Sequence, residues 1–190
     1  VTQFVRALQE AVAAIESLGI DYFVGGSMAS IVHGEMRTTQ DADVIVHLDA
    51  PSVVQLAHAL ESSFFVDSEF LAECLALGIS SNVIHKASGF KLDLFPLRER
   101  AFSKQEMARA VRVEVLPSVR MRVATAEDCV LSKLEWYEKG NRASDRQWRD
   151  VLGILKNNAS SLDRSYLRNW ASQLGIAELL HQALTQAGIG

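Results

Sequence analysis

The sequence predicts a mixed α/β part over residues 1–124 followed by a helical region over residues 125–190. Three observations lead there. Stretches with helical spacing alternate with short strand-like runs in the first part. The runs 41–48, 82–87 and 90–95 are short and rich in Val, Ile, Leu or Phe, as strands are. From Thr125 onward only the helical period remains. The junction near residue 124 is short and well patterned, which argues against independent motion of the two parts.

Taken in order, residues 2–19 place apolar side chains near i, i+3, i+4 and i+7, an amphipathic helix that Gly19 is positioned to end. DYFVGG reads as a short strand running into glycines. SMASIVHG reads as a short helix opening at Ser27 and stopping near Gly34, and EMRTTQ as a polar loop. DADVIVHL, residues 41–48, alternates and is a strand, with Asp49 as a turn residue at its end. PSVVQLAHALES starts a helix on proline, where the missing N–H costs nothing. Residues 67–78 form a helix capped by Asp67 or Ser68. The runs 82–87 and 90–95 flank Ser88-Gly89, a hairpin signal. A short helix is expected over 98–109, then two strand-like runs around Leu116-Pro117-Ser118. Thr125 with Asp128 three residues on is a capping pattern for a helix over 125–140. Further helices are expected over 144–157, 161–174 and 176–187, and no internal repeat occurs.

Composition narrows the function classes. The chain is 48% hydrophobic and 22% charged with three prolines, a globular rather than disordered balance. Its 190 residues can bury a core without staples. Cys74 and Cys129 sit alone, away from any metal-ligand spacing, which fits a reducing compartment. No apolar run is long enough to span a membrane, and the first residues lack the pattern of a secretory signal, so a cytoplasmic address with no membrane partner is expected. The net charge of −4 is uneven. Residues 1–97 hold 4 Lys and Arg against 12 Asp and Glu, and residues 98–190 hold 15 against 11. The acidic first half repels a nucleotide unless cations intervene, while the basic second half can receive phosphates, or the difference is only one of solvated helix faces.

Residues 25–43, GGSMASIVHGEMRTTQDAD, carry the chemistry. On a strand, Asp41 and Asp43 share one face. Paired carboxylates repel unless a cation or proton lies between them. A hard divalent cation such as Mg²⁺ (or Mn²⁺) supplies that and also bridges phosphates. FKLDLF adds Asp93, which meets the pair if its strand lies beside 41–48. Three carboxylates can then hold two ions for phosphoryl transfer. The alternatives are a strand-end cap for Asp41 and Asp43 and an edge-strand charge for Asp93. Gly25, Gly26 and Ser27 stand at a strand-to-helix junction whose free N–H groups and hydroxyl can hold phosphate oxygens. GGS is also common in turns, and neither GxGxxG nor GxxxxGK[ST] occurs.

Gly26-Ser27, 13 intervening residues, Asp41-Ala42-Asp43 and the later strand aspartate Asp93 resemble the nucleotidyltransferase superfamily that includes DNA polymerase beta. The resemblance implies the nucleotidyltransferase fold, a mixed β-sheet flanked by helices with a C-terminal helical region. It implies Asp41, Asp43 and Asp93 as metal-binding carboxylates, and Gly26 and Ser27 as holding the triphosphate of a nucleoside triphosphate. GGSMASIVHGEMRTTQDADVIV further looks like the small bacterial and archaeal nucleotidyltransferases related to the toxin of the abortive-infection type IV toxin–antitoxin system. That group's later Lys, Arg and Asp correspond to Lys133, then Arg142, Asp145, Arg146 and Asp150, and the likeness covers roughly residues 20–157.

Arg37, in the polar loop ahead of Asp41, is placed to reach phosphate or base, or is simply solvated. Lys133 is a point charge for phosphate or an ordinary exposed lysine. His33 is read as orienting its loop rather than binding metal. Glu35, Arg142 and Asp145 are read as ion-pair partners, and Trp136, Tyr137, Trp148, Tyr166 and Trp170 as helix packing. The expected activity is metal-dependent transfer of a nucleoside monophosphate from an NTP to a hydroxyl on an RNA end, a protein or a small molecule. The other readings are a nucleotide-binding partner protein, such as an antitoxin, toxin or regulator with little turnover, and a homodimer-forming structural protein.

Overall fold

In a computed structural model, residues 3–34, 39, 41–116 and 119–190 are described. The order is α1 (Gln3–Ser17), β1 (Tyr22–Val24), α2 (Gly26–His33), β2 (Asp41–Val46), α3 (Ala50–Leu60), β3 (Phe64–Phe65), α4 (Ser68–Ala76), β4 (Ser81–His85) and β5 (Lys91–Pro96). There follow α5 (Ala101–Arg109), β6 (Val111–Leu116), β7 (Val119–Val123), α6 (Ala126–Lys139), α7 (Asp145–Asn157), α8 (Arg164–Gln173) and α9 (Ala177–Ala187). Contacts divide the described residues into two compact units: those within Val1–Ser27 and Thr38–Val123, and those within Met28–Arg37 and Ala124–Gly190. The division falls inside α2.

The first unit is built on a mixed sheet with strand order β3-β4-β5-β2-β1-β7-β6 among the described residues. β2 runs parallel to β5 and antiparallel to β1, and β1 runs parallel to β7. Strand alternation sorts the side chains cleanly. Ala42, Val44 and Val46 of β2, with Leu92 and Leu94 of β5, are 0% exposed, each larger aliphatic side chain giving about 1.5–3 kcal/mol on burial. On this face Val83 and His85 of β4 are also buried, and the Phe64 ring lies 5.1 Å from the His85 ring. His85 Nε2 stands 3.5 Å from Glu10 Oε2 of α1, which lays its stripe Ala7, Leu8, Ala11, Val12 and Ile15 into the core. α4 packs on β4, and α3 packs between α1 and α4. The opposite face of the same strands carries Asp41, Asp43, Lys91 and Asp93, and it stays partly open.

Local signals explain most boundaries. Asp67 caps α4 through Phe70 N, and Thr125 caps α6 through Asp128 N. Asp49 does more than end a strand: it caps α3, accepting from Ser52 N ahead of the proline in the first turn. β3 has no counterpart in the sequence reading, because two residues give no period and its pairing with Ile84 and His85 is remote in sequence. In the second unit α6–α9 pack on one another around Val130, Leu131, Leu134, Val151, Ile154 and Leu180. Tyr137 stacks against Trp148 at 5.3 Å, a packing role for that pair. No helix among the described residues is long and apolar enough to cross a membrane.

Candidate active site

The glycine turn and the acidic pair form one local structure in the first unit. β1 ends at Val24, and Gly25 N donates to Asp43 O at 2.9 Å. Gly26 has φ +52°, the left-handed region that glycine enters without a steric cost. A Cβ at Gly26 would lie 1.5 Å from Asp43 Oδ2 and 2.5 Å from its Cγ. The carboxylate therefore sits where any side chain would have to be. Ser27, 8% exposed, stands in the first turn of α2, where the N–H groups of a helix start concentrate positive potential.

β2 and β5 then bring the remaining charges together. Their parallel register sets Asp43 opposite Asp93 and Asp41 opposite Lys91. β4 places Asn82 opposite Asp93 on the other side. Side chains opposite one another on neighbouring strands stand about 5 Å apart. At that separation two carboxylates repel by roughly 3 kcal/mol at an effective dielectric of about 20. Two contacts moderate this. Thr39 Oγ1 donates to Asp41 Oδ1 at 2.9 Å, and Lys91 Nζ donates to Asp93 Oδ2 at 2.7 Å. The hydrogen bond to Asp93, reinforced by the charges of Asp93, Asp41 and Asp43, holds the Lys91 ammonium above the usual lysine range against partial burial. One cation is thus shared electrostatically among three acids.

Hard carboxylate oxygens suit Mg²⁺ or Mn²⁺, and the register supplies three of them on one sheet face. Among the described residues, no group of three or more His, Cys, Asp or Glu converges closely enough to cage a metal as it stands. The donor set fits a divalent ion that also draws oxygens from a phosphate substrate, as Mg²⁺ commonly does, rather than an all-protein cage.

Of the remaining candidates, Arg37 and Glu35 lie outside the described residues. Lys133 belongs to the second unit, where its Nζ donates to Asp150 Oδ2 at 2.9 Å. Both side chains are only 11% exposed, so Lys133 is not an ordinary exposed lysine. Arg142 pairs with Glu138 on its own turn at 2.7 Å. His33 has an anchoring role: its Nε2 lies 2.7 Å from Ala124 O, while Asn158 Nδ2 donates to His33 O at 2.7 Å. A Cβ on Gly34 would stand 2.7 Å from Ser30 O and 3.3 Å from Ile154 Cγ1, so His33-Gly34 is where α2 closes on α7. Sequence reasoning missed Thr39 and Lys91. Lys91 had a readable signal, since in KLDLF it shares a strand face with Asp93.

No protein-family model matches the chain, and no curated protein is significantly similar to it in sequence. Solved structures do match. An antigenic nucleotidyltransferase-like protein from Paracoccidioides brasiliensis superposes with a TM-score of 0.57 at 18% identity, over 97% of this chain and 93% of that one. ANT(2″)-Ia in complex with adenylyl-2″-tobramycin gives a TM-score of 0.57 at 14% identity, over 92% and 98%. The lincosamide antibiotic adenylyltransferase LnuA, lincomycin-bound, gives 0.52 at 14% identity, over 81% of this chain and 96% of that one. At these identities the likeness speaks for architecture, and by it the chain has the nucleotidyltransferase fold.

Proposed function

We propose that the chain transfers a nucleoside monophosphate from a nucleoside triphosphate to a hydroxyl acceptor and releases pyrophosphate. The observation that carries this reading is the seating of the Asp43 carboxylate against Gly26 at the start of α2. It supports reading the helix start and the carboxylate pair as parts of one site. Gly25, Gly26 and Ser27 hold the triphosphate at the α2 N-terminus. Asp41 and Asp43, with Asp93 beside them, are the residues to hold Mg²⁺ or Mn²⁺. When bound, such an ion offsets phosphate charge and acidifies the attacking hydroxyl. Asp93 takes the acceptor proton as the new oxygen–phosphorus bond forms at the α-phosphate and the bond to the β-phosphate bridging oxygen breaks. Arg37 and Lys133 are proposed phosphate contacts, Lys133 only if it exchanges Asp150 for the substrate.

The acceptor proposed first is a small hydroxyl-bearing molecule, supported by one neighbour held in complex with adenylyl-2″-tobramycin and another described as a lincosamide antibiotic adenylyltransferase. RNA ends and protein hydroxyls are the other acceptor classes. The test incubates the protein with labelled NTPs, Mg²⁺ or Mn²⁺, and in parallel an aminoglycoside panel, total RNA and total protein. Label transfer that Asp41→Ala or Asp93→Ala abolishes supports the enzyme. A second reading is a weakly catalytic nucleotide-binding component of a toxin–antitoxin pair, with a cognate toxin or antitoxin, or a second copy, as its partner. The ion pair that occupies Asp93 favours it, and tight nucleotide binding without transfer to any acceptor would select it.

A further inference from the structure

Lys91 belongs to no part of the glycine–aspartate pattern, yet it stands inside the site. It opens β5 directly opposite Asp41, two residues ahead of Asp93 and on the same sheet face. Its Nζ lies 2.7 Å from Asp93 Oδ2, and the Asp93 side chain is 16% exposed. An exposed ion pair between flexible side chains contributes little and is readily exchanged. The Lys91 side chain is 45% exposed, but strand register fixes both Cα positions and a second acid, Asp41, faces the lysine across the strands. We propose that Lys91 is a positioning residue that takes the place of a second divalent cation, so that the chain binds one divalent ion, at Asp41 and Asp43, rather than two. The inference rests on the metal-dependent reading given above.

Geometry leads to this arrangement. Asp93 already directs one oxygen to the ammonium. A second dication bridging Asp93 would have to sit within a few ångströms of Lys91 Nζ, where like charges repel strongly. Removing the ammonium frees that oxygen and removes the repulsion. Asp93 keeps its other oxygen for the acceptor proton, and Lys91 holds the carboxyl in the orientation that uses it.

The experiment titrates the full chain with Mn²⁺ alone and counts bound ions by the loss of the free-Mn²⁺ electron paramagnetic resonance signal. Wild type is expected to bind one Mn²⁺ per chain, lost in Asp41→Asn. Lys91→Met and Lys91→Gln are expected to bind a second ion at least about tenfold more tightly than wild type does, and Lys91→Arg to keep the single-ion count. Two ions in wild type with affinities unchanged in both neutral variants would overturn the role of Lys91 while leaving the metal site standing. No Asp41-dependent Mn²⁺ binding in wild type, either with Mn²⁺ alone or with a non-hydrolysable nucleoside triphosphate analogue added, would overturn the metal reading and this inference with it. The wild-type count decides even if a Lys91 variant does not fold.

Discussion

The contact between Gly26 and Asp43 invites a one-methyl test, Gly26→Ala. Two costs are legible in the geometry. An alanine held at φ +52° pays roughly 1–2 kcal/mol for a left-handed conformation. Its Cβ would also fall 1.5 Å from Asp43 Oδ2 and 3.0 Å from Asp43 Cβ, so the carboxylate must leave its seat. Forced repacking of that kind typically costs about 1–3 kcal/mol. The expected total is about 3 kcal/mol, or a melting point lower by roughly 6–12 °C for a chain of this size. Gly89→Ala is the matched control. Gly89 has φ +68°, and a Cβ there would meet nothing within 4 Å, so only the conformational cost applies. The assay pairs thermal denaturation with Mn²⁺ binding. Gly26→Ala should lose most of its Mn²⁺ affinity, whereas Gly89→Ala should melt a few degrees low and bind normally. If the two variants melt alike and bind Mn²⁺ alike, Asp43 is not held by the glycine turn and the reasoning fails.

Other outcomes follow from individual contacts. Thr39→Val removes the hydroxyl that steadies Asp41 and should weaken Mn²⁺ binding by about 10–100-fold, with the melting point nearly unchanged. Lys133→Met takes the ammonium from the 11%-exposed Asp150 carboxylate and should lower stability in denaturant titrations by about 1–3 kcal/mol, a loss that the double variant with Asp150→Leu should reduce. Burial, then the hydrogen bond it gives Glu16, raises the Tyr22 hydroxyl above its ordinary 10.0, so it stays protonated in the fold where the unfolded chain ionises. The stability it confers is present below pH 10.0 and is lost as pH rises beyond. Tyr22→Phe should flatten that alkaline loss in melting curves taken across the range. Removing divalent ions with a chelator should stop nucleotidyl transfer while the circular dichroism spectrum keeps its folded form.

Period and capping made most elements legible in the sequence. The stripe through Ala7, Leu8, Ala11, Val12 and Ile15 is a local property, as are the Asp67 and Thr125 caps. The same-face placement of Asp41 and Asp43 is local too, since it needs only strand alternation. What sequence could not supply is which strands are neighbours. Asp93 meets Asp43 because β5 pairs with β2, a crossover that no local period encodes. The reason for Gly26 is likewise hidden: a strand-to-helix turn accounts for a glycine, but only the Asp43 carboxylate accounts for the absence of any Cβ. The sequence reads His33 as orienting its loop and Gly34 as a helix stop. Their partners, Ala124 O, Asn157, Asn158 and Ile154, lie far along the chain and give them an anchoring role.

The placement of charge constrains how this fold can meet a nucleotide. Asp41, Asp43 and Asp93 are carried on paired strands, so they cannot relax apart as loop residues would. Lys91 offsets part of their negative charge. On the proposed function, a triphosphate brought to the α2 N-terminus approaches these acids, and the half charge of a helix terminus is small beside theirs. On that proposal the cation should arrive with the nucleotide or before it. In this arrangement the strands supply rigidity and the lysine sets the number of ions. The backbone notch at Gly26 fixes the distance between the acid and the helix start. The least substitutable residue of the Gly25-Gly26-Ser27 run is thus Gly26, where a missing Cβ is the seat of the Asp43 carboxylate.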